Sequence, residues 1–471
     1  MADRLSPLDA SFLYAEEPTT PMHVGSVAVF QEPEDGFDHD RLVRLVADRI
    51  ALVPRYRQRV REVPGRLANP VWADDAAFDI GYHVRRSALP KPGTDEQLVE
   101  LVARVQSRPL DRGRPLWEMY LVEGLADDRF AVITKTHPAM VDGIGAVDIG
   151  QVILDAHPER PAARARVMRK PLVDTWHPQP EPTRAELVAG ALGETIRRPT
   201  ASLDLVRGGL GGLRDAAGRV AGAAGGLLST GLTAARPAPV SPLNVAVTGQ
   251  RRFATVATDL DDYRRVRKAH GGTVNDVVLA AVAGGLRAWL LTRGEAVRTS
   301  TTVRAAVPLS VHDDGDAEPV GNRVATYLVD LPVGEPSPVM RLHQVSYQMK
   351  APKETGRAVR AESLVGLAGF APPTLHALGA RVASGMSRRW FNLVVTNVPG
   401  PQQPLYAGAA RLLASYPVIP LARTQALSIG LTSYDGGVYH GLNADRDALP
   451  DLDVLAQCLV DAGEELLGTV R

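Results

Sequence analysis

The residues best equipped for chemistry lie in Thr134-Lys135-Thr136-His137-Pro138-Ala139-Met140-Val141-Asp142-Gly143. A lone imidazole, His137, is followed five residues later by a carboxylate, Asp142, and by two glycines, Gly143 and Gly145. A histidine is the usual side chain for moving a proton near neutral pH, so the chemistry within reach is general acid–base catalysis. The competing reading is a hydrogen-bonded core histidine, the commoner fate of a single imidazole at a strand end.

The apolar run Phe130-Ala131-Val132-Ile133 enters this segment as a buried strand, and Ile144, Val147, Ile149 and Val152-Ile153-Leu154 resume an apolar pattern after it. The polar residues therefore interrupt a core element, which is where local folding rules tend to give way to function. Asp142 is expected to be structural, paired with an arginine, because a carboxylate in a core needs such a partner.

His137-Pro138-Ala139-Met140-Val141-Asp142-Gly143 resembles the His-His-x-x-x-Asp-Gly motif of the bacterial wax ester synthase/diacylglycerol acyltransferase family, relatives of the CoA-dependent acyltransferases and condensation domains. Counting back from Asp142-Gly143, the first histidine of the pair falls on His137 and the second on Pro138. In the family that second histidine is the general base, and proline has no ionisable group. Further signatures in family order are Ser6-Pro7-Leu8-Asp9, Met22-His23-Val24-Gly25, Pro115-Leu116-Trp117, Asn275-Asp276, Asn397-Val398-Pro399-Gly400-Pro401 and the segment Leu427 to Leu442. His23 and Trp117 read as structural, the latter as a large apolar mass with one donor to satisfy. Thr273 reads as a helix N-cap with Asp276 three residues on, which accounts for Asn275-Asp276 locally; the resemblance makes that pair, with Pro115, Leu116 and Trp117, supporting residues of the site.

The resemblance implies an α/β fold of α+β type: two chloramphenicol-acetyltransferase-like domains, each a mixed sheet with helices, forming an interdomain channel. It implies acyl transfer from acyl-CoA to diacylglycerol, giving triacylglycerol, or to a fatty alcohol, giving a wax ester, with acyl-CoA as co-substrate and no cofactor. Pro138 leaves two readings: an O-acyltransferase of weakened activity, or a non-catalytic paralogue that binds acyl-CoA or neutral lipid or partners an active enzyme. Adjacent residues on an extended strand point to opposite faces, so His137 is expected to turn away from the channel that residue 138 would face.

Composition fits this picture. The chain of 471 residues exceeds what one core ordinarily serves and divides into an N-terminal domain over 1–158, a linker over 159–240 and a C-terminal domain over 241–471. Fifty-three basic residues balance fifty-three acidic ones, which argues against nucleic acid as a partner. One cysteine, Cys458, rules out an intrachain disulfide, and the scattered histidines suggest no metal site. The start lacks the pattern of a signal peptide, and no unbroken apolar run approaches 18 residues, so a cytoplasmic protein is expected, at most peripheral on a membrane or lipid inclusion.

The linker carries twelve basic and seven acidic residues between Glu159 and Arg236. Leu203, Val206, Leu210, Leu213, Ala217, Val220, Ala224 and Leu227 form an apolar stripe there, expected to fold only against protein or a lipid surface because nine glycines weaken it as a free helix.

Among the elements that must position the site, helices are expected over 40–53, 95–107, 260–270 and from 274 onward. Strands are expected at 24–30, around Trp72, at 78–80, 119–122, 130–133, 251–257, 303–310, 319–331 and 392–398, and as a hairpin turning at Asp435-Gly436.

Overall fold

The computed structural model describes residues 3–140, 149–158, 176–197, 237–310, 324–355, 359–360 and 390–470. The strands are β1 (Val24–Gln31), β2 (Gln58–Arg61), β3 (Val71–Asp74), β4 (Val84–Ala88), β5 (Trp117–Leu125) and β6 (Arg129–Thr136) in the first half. The second half contributes β7 (Arg251–Asp259), β8 (Val303–Ser310), β9 (Val324–Leu331), β10 (Val359–Arg360), β11 (Leu393–Pro399), β12 (Tyr406–Ala407), β13 (Ala410–Val418), β14 (Leu427–Tyr434) and β15 (Gly437–Asp445). They form a six-stranded sheet, β12-β13-β1-β6-β5-β4, a seven-stranded sheet, β10-β9-β8-β11-β14-β15-β7, and the small ribbon β2-β3.

The mixed sheets and helices are the expected α/β architecture. The first sheet takes its last two strands from the second half of the chain: β13 lies antiparallel to β1, with Val27 opposite Tyr416. Residues 406–418 thus sit in the first sheet although their sequence position is within 241–471. The two sheets meet where β13 passes β14 and β15. Pro417 lies over Gly430 and Gly441, whose missing side chains allow the close approach, and Tyr434 and Tyr439 donate their hydroxyl hydrogens to the carbonyls of Leu412 and Leu413.

Helix His39–Arg49 starts where Asp38 accepts the Arg41 N–H (2.8 Å) and buries Leu42 and Val46 on one face of the first sheet, with Phe30, Phe130, Met119 and Leu121. Helix Asp95–Gln106 opens with a reciprocal cap between Thr94 and Gln97 and covers the other face, with Val27, Ala131, Ile133 and Phe253. In the second half, helix Val274–Thr292 joins helices Leu260–His270, Pro338–Thr355 and Leu452–Gly468 in one large core with β7–β9, β11, β14 and β15, where Cys458 is a buried packing residue.

The chain opens with a helix, Pro7–Ala15, capped by Ser6. Two local expectations need correction. Residues 78–80 are not a strand: the Asp79 carboxylate accepts the Gly81 N–H and starts the single helical turn Ile80–His83. The helix over 40–53 ends at Arg49 and tightens into a 3₁₀ turn, Ile50–Leu52. Arg49 donates to the Val152 carbonyl (2.8 Å) and pairs with Asp155.

Helix Val274–Thr292 is long and apolar enough to cross a membrane by length and composition. Counting unbroken apolar runs hides this, because Asn275, Asp276 and Arg287 interrupt the run without ending the apolar average. Its buried residues include Val278, Val282, Leu286 and Leu290, so the protein core accounts for its composition.

The near end of the linker is docked. The Gln179 N–H donates to Asp74 (2.9 Å), Glu181 pairs with Arg59 (2.8 Å), and Leu187 and Ala191 of helix Arg184–Arg197 pack on Val63, Ala68 and Val71. The apolar stripe from Leu203 to Leu227 lies outside the described residues.

Candidate functional site

β6 is an interior strand of the first sheet, flanked by β1 and β5, with Val24 and Trp117 both opposite Thr136. It ends at Thr136, and the chain turns at once into a 3₁₀ turn, Pro138–Met140. Strict alternation of faces therefore does not carry on through His137 and Pro138. The His137 N–H still donates to the Leu116 carbonyl (2.9 Å), and the Met140 N–H closes the turn onto the His137 carbonyl (2.9 Å).

The His137 side chain is buried, and its Nδ1 accepts the Ala139 N–H at 3.1 Å. A ring nitrogen that accepts cannot carry the proton of a neutral imidazole, so the proton sits on Nε2. That Nε2–H is buried and has no hydrogen-bond partner among the described residues. Burial lowers the His137 pKa to about 4; the Glu16 carboxylate opposes this shift and the Arg112 guanidinium adds to it. These two charges pair with each other at 2.7 Å. His137 is thus a neutral donor at ordinary pH. Asp142 and Gly143 lie outside the described residues, and so does any arginine contact of Asp142.

Pro115-Leu116-Trp117 supports this strand end from β5. The Pro115 carbonyl accepts the Trp117 N–H, and the Leu116 carbonyl holds His137. Trp117 is fully buried, as its structural reading requires, and donates its indole N–H to the Tyr56 carbonyl (2.8 Å). Its ring stacks on His83 at 4.6 Å between centroids, and His83 Nδ1–H donates to the Trp117 carbonyl (2.8 Å). Burial brings the His83 pKa down to about 4.

His23 immediately precedes Val24, the β1 residue paired with Thr136 at the end of β6. It is buried, and its Nε2 lies 3.0 Å from the Gln106 carbonyl. Burial first, then Lys135 and His137, hold its pKa well below the ordinary range, against two contacts with Gln106 that favour the charged ring. Gln106 in turn donates its amide to the Thr134 carbonyl (3.1 Å).

Sequence reasoning did not single out a buried charge network beside this strand end. The Lys135 ammonium is fully buried, donating to the Arg108 carbonyl (2.6 Å) and lying 3.4 Å from the Glu118 carboxylate. Glu118 also accepts the Tyr120 hydroxyl hydrogen (2.7 Å) and pairs with Arg85 (3.1 Å). Burial lowers the Lys135 pKa, while Glu118 opposes the shift. The signal was present: Glu118 and Lys135 are charged residues inside apolar strand patterns, and buried charges must be paired.

Asn275-Asp276 begins helix Val274–Thr292. The Thr273 hydroxyl and Asp276 carboxylate cap each other's backbone N–H groups at 3.2 and 2.8 Å. Asn275 accepts from the Asn397 amide (3.1 Å), tying the helix start to the end of β11. Among the described residues no hydrogen bond or ion pair joins Asn275 or Asp276 to the His137 turn.

Two described cavities lie away from this turn. One of about 640 Å³ is lined by Arg41, Arg44, Arg86 and Phe130 near the opposite end of β6; another of about 200 Å³ lies between β7 and the helices that follow and close the chain. Neither corresponds to the expected channel at His137. No His, Cys, Asp or Glu grouping suited to a metal ion occurs among the described residues.

Residues 5–278 match the family model of the wax ester synthase/diacylglycerol acyltransferase catalytic domain, and residues 320–467 match that of its C-terminal domain. The chain is 36% identical over 470 residues to the probable diacylglycerol O-acyltransferase tgs2 of Mycobacterium tuberculosis, covering 98% of both proteins. It is 33% identical to tgs1 of the same organism over 467 residues, covering 99% of this chain and 96% of that one. The structure superposes on the wax ester synthase/diacylglycerol acyltransferase of Marinobacter aquaeolei VT8 with a TM-score of 0.69 at 29% identity, covering 99% of each chain. The first condensation domain of the calcium-dependent antibiotic synthetase shares the fold, with a TM-score of 0.59 at 18% identity over 100% of this chain and 96% of that one. With both halves matched and relatives aligned from end to end, the chain belongs to the wax ester synthase/diacylglycerol acyltransferase family and is an enzyme of acyltransferase type.

Proposed function

We propose that this protein transfers a long-chain acyl group from acyl-CoA to the hydroxyl of a diacylglycerol or a fatty alcohol, more slowly than a family member with both motif histidines. The observation that carries this reading is the buried, unpaired Nε2–H of His137, a neutral donor fixed by the Ala139 contact at the motif position. As the alcohol oxygen attacks the thioester carbon, negative charge grows on the carbonyl oxygen. A preorganised donor away from water stabilises that charge strongly. Leu116 and the Pro138–Met140 turn fix the ring's position, and Trp117 and His83 support the strand behind it.

Pro138 supplies no base, and general-base assistance is typically about 10²–10⁴-fold, so losing the base at this motif position slows turnover. The same substitution favours a second reading: a non-catalytic relative that binds acyl-CoA or neutral lipid, or accompanies an active acyltransferase. A peripheral association with membrane or lipid inclusions fits these substrates.

The test measures CoA release and lipid product from palmitoyl-CoA with diacylglycerol or hexadecanol, for wild type, Pro138→His and His137→Ala. Slow wild-type turnover, lost in His137→Ala, is expected. Turnover by Pro138→His alone, or by neither wild type nor Pro138→His, would overturn activity in the native chain and favour the second reading.

A further inference from the structure

Three buried polar atoms near the end of β1 and β6 lack hydrogen-bond partners among the described residues: His23 Nδ1, Gln106 Oε1 and His137 Nε2. Their donor and acceptor roles are set by the contacts the same groups do make. His23 Nε2 faces the Gln106 carbonyl at 3.0 Å, and a carbonyl only accepts, so the hydrogen is on Nε2 and Nδ1 is left as a bare lone pair. Gln106 spends its amide donor on the Thr134 carbonyl, which leaves Oε1 as a second acceptor. His137 presents the complementary group, an N–H. His23 precedes Val24 and His137 follows Thr136, the last register pair of β1 and β6, and His137 is among the groups that hold the His23 pKa down.

Buried polar atoms are normally paired, and a bare acceptor, His23 Nδ1, together with a bare donor, His137 Nε2–H, calls for a group that both donates and accepts. A hydroxyl does both.

We propose that His23 Nδ1 is the general base of this enzyme, taking over at the acceptor hydroxyl the task that Pro138 cannot perform. The inference rests on the acyl-transfer reading above and adds the residue that moves the proton.

In the first step the hydroxyl proton passes to His23 Nδ1 as the alcohol oxygen forms its bond to the thioester carbon. The carbonyl π pair moves onto oxygen, where His137 Nε2–H meets it. In the second step that pair returns, the carbon–sulfur bond breaks, and the departing thiolate takes the proton back from His23. Ester and free CoA thiol are the products, and both rings end as they began. The Gln106 carbonyl accepts from Nε2–H throughout, orienting the ring and supporting its transient positive charge. A water molecule could satisfy the same three atoms without any catalytic consequence; kinetics separate the two.

The experiment uses the full chain with palmitoyl-CoA and diacylglycerol, comparing wild type, His23→Gln, Pro138→His and the double variant. Glutamine can keep a donor toward the Gln106 carbonyl while removing the basic lone pair; His23→Asn takes its place if His23→Gln does not fold. We expect His23→Gln to lower kcat about 100-fold or more with KM for acyl-CoA within about twofold. We expect the double variant to recover to within about tenfold of Pro138→His, since a base at 138 makes His23 dispensable, a rescue that a merely structural role would not give. Wild-type kcat in His23→Gln, or a double variant as slow as His23→Gln, overturns the assignment of His23 and leaves acyl transfer standing. Absence of turnover in wild type overturns both together.

Discussion

Acidification should weaken this fold through its buried imidazoles, and His440 allows the effect to be isolated. His440 lies on β15, 2% exposed, with Nδ1 unpaired and Nε2 at 3.3 Å from the Tyr263 hydroxyl and 3.5 Å from that of Thr258. Burial lowers its pKa from 6.5 to about 4. The folded value lies below the unfolded one, so the unfolded chain takes up a proton first and stability falls as pH drops from about 6.5 towards 4. At pH 5 protonation favours the unfolded state by a factor of about 30, or about 2 kcal/mol, whereas at pH 7.5 the effect is negligible. His83 and His137, also lowered to about 4, act in the same direction.

Replacing His440 with glutamine removes one titrating group. The assay is urea unfolding followed by tryptophan fluorescence at pH 7.5 and pH 5 for wild type and His440→Gln. The variant is less stable at pH 7.5 because its packing is imperfect, but it should lose about 2 kcal/mol less than wild type on going to pH 5. Parallel losses in both proteins would refute the argument that this imidazole is held neutral by burial.

Trp117→Ala should destabilise the first half by about 3–5 kcal/mol in the same unfolding assay, through the cavity left beside His83 and Tyr56. Gly25→Ala should impair folding or activity, because an added Cβ would collide with the Thr134 carbonyl and the Gln106 amide; a crystal structure of the variant would show β1 displaced from β6. Thr273→Ala should cost about 1 kcal/mol of thermal stability by removing one half of the reciprocal cap at helix Val274–Thr292.

What was legible in the sequence is what short-range patterns encode. Apolar runs marked β6 and β14, the Thr273-to-Asp276 spacing marked a helix start, and Asp435-Gly436 marked the hairpin turn, where both residues have positive φ. The run Phe78-Asp79-Ile80 misled because bulky residues suit a strand equally well, and only the Asp79 cap decides for a helical turn. The motif placed His137, but its tautomer depends on the Ala139 N–H. His23 looked structural because its neighbours in sequence offer no partner; the groups that define it, Gln106 and His137, are 83 and 114 residues away. The placement of β13 in the first sheet follows from pairing across nearly four hundred residues, which no local period records.

That last pairing bears on how the molecule can be divided. A fragment ending before β7 would leave the outer ladder of β1, Val24 to Gln31, without Ala410–Val418, baring a row of N–H and C=O groups beside apolar side chains. Such a piece is primed to aggregate, or to recapture its missing strand from a separately made second half. Severing the backbone between the sheets would therefore not by itself release two independent bodies, because the cut ends remain laced together by a β-ladder.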